Sequence, residues 1–112
     1  MNIQIFGKKK CFDTKKAERY FKERRIKFQK IDMVSKGMSL GELKSVAQAI
    51  GLDNLVNESH PSYHDSLYPY TSEYDRKIEI LTEYPEIIHT PIVRNGKKAT
   101  LGFQPDEWEK WS

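Results

Sequence analysis

"TPIVRNGKKATLGF", residues 90–103, is the stretch whose reading decides the fold. Ile92-Val93 and Ala99–Leu101 are short apolar runs on either side of Asn95-Gly96. Asn-Gly tolerates left-handed backbone at both positions, so the pair predicts a β-hairpin closed by a type I′ turn. "QPDEWEKW", 104–111, follows with Pro105 in a helix-starting position and Trp108 and Trp111 three apart on one face. The C-terminal part therefore reads β-β-α. At the other end, "NIQIF" (2–6) alternates polar and apolar residues as a strand does, and Gly7 ends it. Ala17, Tyr20 and Phe21 then share one helical face within a helix expected from about Asp13 to Arg25. "IKFQKIDM", 26–33, alternates again. This β-α-β order within thirty-odd residues predicts parallel strands joined by a right-handed crossover.

The segment between the two units is helical. Ser39 and Glu42 have the spacing of a capping box. Leu40, Leu43, Val46, Ala47 and Ile50 form the apolar stripe that follows, and Gly51 suits the residue after a helix end. "LDNLVNESHPSYHDSLYPYTS", 52–72, has no clear period and reads as short helical turns and loop. A further helix is expected from about Ser72, its N-cap, to Tyr84, before Pro85. The whole is an α/β chain with a mixed four-stranded sheet. It is read as one domain, residues 1–112, with a helical insert over about 35–84. A βαβ unit joined to a ββα unit is the arrangement of the thioredoxin-like fold.

Composition narrows the function classes. A chain of 112 residues with thirteen aromatics can bury its own core. Its single cysteine forms no internal disulfide, which suits a reducing cytoplasm. "MNIQIFGKKK" has its apolar run before its charges, the wrong order for a secretory leader, and no stretch approaches membrane-spanning length. Residues 1–30 carry a net +8 and the remainder −5. "KKAERYFKERR" is read as the solvated face of one helix rather than a nucleic-acid surface, and a monomer is expected.

The cysteine, Cys11, stands in "GKKKCFDTKKA", 7–17, where the first strand passes into the first helix. A thiol attacks as the thiolate, and its free pKa of about 8.5 leaves little of that form at neutral pH. The helix start offers unpaired N–H groups and partial positive charge. Lys8, Lys9, Lys10, Lys15 and Lys16 add positive potential, while Asp13 opposes it. Cys11 is therefore the candidate nucleophile. His60 and His64 are four apart, but Pro61 between them breaks the helix that would align them, so no metal site is expected. His89 lies two residues before Pro91 as a candidate base or an ordinary loop residue. Tyr63, Tyr68, Tyr70 and Tyr74 form an aromatic cluster read as local core or pocket wall.

"Cys11-Phe12-Asp13-Thr14-Lys15-Lys16-Ala17" resembles the active-site loop of the arsenate reductase (ArsC) and Spx family, whose members read C-x-x-[C/S/T]-[R/K] here. "LTEYPEIIHTPIVRNGKKATLGFQPDEW" resembles the family's C-terminal portion. The resemblance implies a thioredoxin-like fold, Cys11 as nucleophile and Thr14 in the place of a resolving cysteine. It also implies Lys15 lining an anion loop, and a cis proline at Pro91 after Thr90, whose backbone would pair with an extended substrate. With one cysteine, a mixed disulfide would be resolved from outside by glutathione, as co-substrate, or by glutaredoxin or thioredoxin. No bound cofactor is implied.

The chain departs from the family where arginines hold the oxyanion. Thr90 precedes the proline, "Asn57-Glu58-Ser59-His60-Pro61" supplies no arginine, and neither does "LGFQ". Arg94, three residues after Pro91, is left open as a substitute. Lysines alone make a poor bidentate clamp, so genuine arsenate reduction is not expected. Two readings remain: a thiol-dependent oxidoreductase, and an Spx-like non-enzymatic regulator that binds RNA polymerase or another protein.

Overall fold

Strand alternation builds two cores on the two faces of one sheet. The computed structural model describes residues 1–111. Its sheet comprises β1 (Ile3–Gly7), β2 (Phe28–Asp32), β3 (Ile92–Asn95) and β4 (Lys98–Leu101), in the order β2-β1-β3-β4. β1 runs parallel to β2, while β1–β3 and β3–β4 are antiparallel. On one face Ile3, Ile5 and Val93 pack with Ala17, Tyr20 and Phe21 of α1 (Phe12–Glu23) and Trp108 of α4 (Pro105–Glu109). On the other, Phe6, Ile31 and Ile92 pack with Leu43 and Val46 of α2 (Leu40–Ile50) and Ile78 and Leu81 of α3 (Tyr74–Glu83). This is the mixed α/β, thioredoxin-like architecture expected from the order of elements.

Local chemistry sets the element ends. The capping box forms as read: Glu42 N–H donates to Ser39 Oγ at 3.1 Å, and Ser39 N–H to Glu42 Oε1 at 2.9 Å. Gly51 ends α2 at φ 102°, where a side chain would be strained. Trp108 is buried, and its Nε1–H donates to Thr100 Oγ1 at 2.7 Å, which satisfies the indole as it fills the core.

Several expectations are corrected. α1 ends at Glu23 because Arg25 is left-handed (φ 57°), and Ile26 N–H closes back on Phe21 O at 2.9 Å. That closure takes Ile26 out of β2. The hairpin turn falls one residue later than the Asn-Gly reading placed it. Asn95 pairs with Lys98 in the ladder, Gly96 and Lys97 form the loop, and Gly96 (φ 63°) takes the left-handed position. Asn95 instead accepts Asn2 N–H on its side-chain oxygen at 3.3 Å. α3 starts after Glu73 rather than Ser72, with no side-chain cap. Leu40 is exposed as the first residue of α2, and of the tyrosine cluster Tyr70 and Tyr74 face solvent. Tyr68 is the buried member; its hydroxyl donates to Asp53 Oδ1 at 2.7 Å, where Lys77 also pairs at 3.4 Å.

The end of β1 is shaped by a missing side chain. A Cβ on Gly7 would collide with the Thr14 methyl and stand 2.7 Å from Thr14 Oγ1. Gly7→Ala is expected to destabilise the fold by about 1–3 kcal/mol through overpacking, read from the denaturant midpoint. An unchanged midpoint would mean that α1 can retreat freely from the strand.

Candidate functional site

Cys11 is the N-cap of α1, in extended backbone (φ −85°, ψ 114°), with no side-chain capping bond to occupy its sulfur. A tight turn delivers it: Cys11 N–H donates to Lys8 O at 3.1 Å. Helical backbone then starts at Phe12, so the first-turn N–H groups point toward the sulfur. Across the site the Thr90–Pro91 peptide is cis, as the resemblance implied, and Pro91 is buried. The Cys11 S–H donates to Thr90 O at 3.4 Å. The structure thus brings Cys11, Thr14, Thr90 and Pro91 to one point beyond the end of β1, while Lys15 is exposed on the first turn of α1.

The protonation state of the sulfur is a contest. Burial pushes the Cys11 thiol up; the hydroxyls of Thr14 and Thr90 and the backbone N–H groups of Thr14 and Asp13 push it down and win. Among the described residues the buried Thr14 oxygen has no other hydrogen-bond partner, which leaves its hydroxyl available to the thiolate it favours. The Thr90 carbonyl serves the thiol form and the Thr90 hydroxyl the anion. The main stabilisers are therefore fixed local dipoles. Lys9, Lys10, Lys15 and Lys16 are exposed and screened. Lys16 lies 5.7 Å from the ring centroids of both Phe12 and Phe103, which makes an exposed aromatic and cationic rim beside the thiol. Lys8 differs from the others in being half-buried against the chain before the cis proline.

The remaining candidates lie elsewhere. Arg94 sits opposite Gln4 in the ladder, at the other end of β1, and donates to Gln4 Oε1 at 2.7 Å, so it does not replace the missing arginines. Arg24 stacks on Tyr20 and Arg76 pairs with Glu79 and Glu83, while Arg19 and Arg25 face solvent. His60 Nδ1 accepts Ser62 N–H at 3.0 Å within its own turn, and His64 packs beside Tyr63 and Tyr70. The His89 side chain is exposed. Among the described residues no three of His, Cys, Asp and Glu converge on a metal site, and no helix is long and apolar enough to cross a membrane.

Comparison with known proteins settles the family. The family model for the ArsC family matches residues 6–111. The chain belongs to the ArsC family. The arsenate reductase of Vibrio cholerae superposes with a TM-score of 0.83 at 23% identity, covering 98% of this chain and 97% of that one. In sequence the chain is 28% identical to the uncharacterised protein YusI of Bacillus subtilis, over 98% of both. It is 21% identical to the global transcriptional regulator Spx 2 of Oceanobacillus iheyensis, over 96% of this chain and 81% of the regulator. The chain's relatives and structural neighbours thus include proteins named as reductases and others named as regulators.

The lowered thiol has a thermodynamic consequence. A group whose pKa is depressed by folding stabilises the fold above its unfolded pKa and loses that contribution as pH falls through the folded value. The stability of the protein relative to Cys11→Ser should therefore increase as pH rises from 6 toward 9 (approximate limits chosen to bracket the thiol range), read by denaturant unfolding. Thr14→Ala should flatten that dependence. A pH-independent difference would show that folding leaves the thiol unperturbed.

Proposed function

We propose that this ArsC-family protein is a single-cysteine thiol oxidoreductase that works through a mixed disulfide with glutathione as co-substrate. The observation that carries the reading is the sulfur of Cys11 at the N-cap of α1, its pKa lowered by hydrogen bonds and its position beside the cis Thr90–Pro91 peptide.

In the first step the Cys11 thiolate attacks one sulfur of a disulfide. The substrate S–S bond breaks, a Cys11–S–S–R bond forms, and the other half leaves as a thiolate that takes a proton from solvent. In the second step an external thiolate, glutathione or a thiol of glutaredoxin or thioredoxin, attacks the mixed disulfide. Cys11 returns as thiolate and R leaves in a disulfide with the external thiol. A second external thiolate that attacks this disulfide at the external sulfur releases R as a thiol, so two external thiols end as one disulfide and both halves of the substrate are reduced. Thr14 and Thr90 steady the anion before attack and after release. Thr90 and Pro91 present backbone for an extended substrate, and Lys15 and its neighbours favour an anionic one. The arrangement does not favour arsenate, a tetrahedral oxyanion best held by the planar, two-pronged donor of an arginine guanidinium.

A second reading is an Spx-like regulator that binds RNA polymerase or another protein. It draws on the exposed Phe12 and Phe103 beside the thiol and on the Spx relatives.

Incubation with glutathione disulfide followed by intact-mass spectrometry separates the two. The expected product is the protein plus one glutathione, removed by dithiothreitol and absent in Cys11→Ser. No adduct on folded protein at neutral pH would defeat the oxidoreductase reading and leave the regulator.

A further inference from the structure

Among the five lysines around the thiol, Lys8 is the one whose ammonium is hydrogen-bonded to distant backbone. Its Nζ donates to Glu86 O at 2.7 Å and to Ile88 O at 3.0 Å, across 78 and 80 residues of sequence. The two carbonyls belong to the turn that leads through His89 into the cis Thr90–Pro91 peptide. The same turn is pinned from its other side, where Asn57 N–H donates to Ile87 O at 2.7 Å and His89 N–H to Leu55 O at 2.7 Å. On the Lys8 side, Lys8 O accepts the N–H of Cys11 at 3.1 Å, so the residue that grips the proline loop also holds the thiol's backbone.

We infer that Lys8 is the positioning residue of the thiol site: its ammonium clamps the β1–α1 loop, and with it the backbone of Cys11, to the segment before Pro91. The inference rests on the reading of Cys11 as a working thiolate. It assigns the clamp to a residue whose neighbours in sequence are only a solvated face.

Electrostatics and geometry agree on this point. Burial lowers the Lys8 pKa, while the Cys11 thiolate and the Glu86 carboxylate act to raise it. Lys8 also lines a cavity together with Lys9, Lys15, Glu18, Lys30 and Asp32. Attraction between two charges is reciprocal, so Lys8 holds the thiolate as the thiolate holds Lys8. The influences on the sulfur itself are burial and the hydrogen bonds of Thr14, Thr90 and Asp13, so Lys8 acts on the thiol chiefly by holding it within their reach. With two of its three protons on carbonyls, the ammonium keeps at most one for the thiol or a substrate. The anion-binding role implied for this lysine-rich loop therefore falls to its exposed neighbours.

The test is the pH dependence of Cys11 alkylation by iodoacetamide in Lys8→Met, Lys8→Gln, Lys8→Arg, Lys9→Met and Lys10→Met. Lys8→Met and Lys8→Gln are expected to raise the half-point by roughly half a pH unit, about a threefold loss of thiolate at neutral pH, the scale of a partly screened charge pair. Lys8→Arg should restore most of it. Lys9→Met and Lys10→Met should move it far less, and the Lys8 effect should survive high salt because the pair is partly buried. Lys8→Gln, which keeps a donor for the carbonyls, guards against a Lys8→Met variant that fails to fold. Equal half-points in wild type and Lys8→Gln would overturn the inference, as would a Lys9→Met shift of the same size or no rescue by arginine. A wild-type half-point at or above about 8.5 would count against the oxidoreductase reading, while the difference between variants would still decide the role of Lys8.

Discussion

The site depends on a side chain that is not there. Because Gly7 lacks a Cβ, Thr14 can seat its methyl and hydroxyl against the last residue of β1. That contact lets the first turn of α1 come down onto the end of the sheet. Thr14 is buried by it, Ala17, Tyr20 and Phe21 follow at helical spacing into the core, and Cys11 is left at the N-cap with its sulfur facing Thr90. A bulkier residue at position 7 would lift the helix start, and with it the N–H groups and the hydroxyl that favour the thiolate. Core packing and thiol chemistry are thus the same contact seen from two sides.

Local dipoles outweigh burial at the sulfur without a dense cation cluster. Hydroxyls and backbone N–H groups act at hydrogen-bond range, whereas the flexible lysines on the surface are hydrated and screened. Lys8 escapes that screening because its ammonium is drawn in by the carbonyls of Glu86 and Ile88. The loop before the cis proline therefore carries both halves of the site, the Thr90 groups that touch the sulfur and the carbonyls that capture the cation.

Most of the fold was legible because its signals are short-range. Alternation in "NIQIF", the Ala17-Tyr20-Phe21 stripe and the Ser39–Glu42 capping box each encode their element within a few residues. Errors came where tertiary contacts choose between local options. Asn95-Gly96 suits a turn by itself, yet Asn95 is kept in the ladder opposite Lys98 and used on Asn2. Ser72 resembles a cap, but α3 starts two residues later. Cys11, Thr14, Thr90 and Pro91 could be named from the thiol loop and the family resemblance. The roles of Gly7 and Lys8 could not. A close approach and a bond to carbonyls some eighty residues away leave no pattern in the sequence. Arg94 illustrates the converse, a residue near the proline in sequence that the strand carries to the far end of the sheet.

Folding favours the thiolate of Cys11 over the thiol. This preference is tested most directly by the rate of Cys11 carboxamidomethylation in the wild-type protein as a function of pH, with a free-cysteine peptide measured in parallel. The expected half-point lies below the peptide's value of about 8.5 and returns to that value in denaturant. Coincident curves for folded protein and peptide, or a folded-state curve shifted upward, would contradict it.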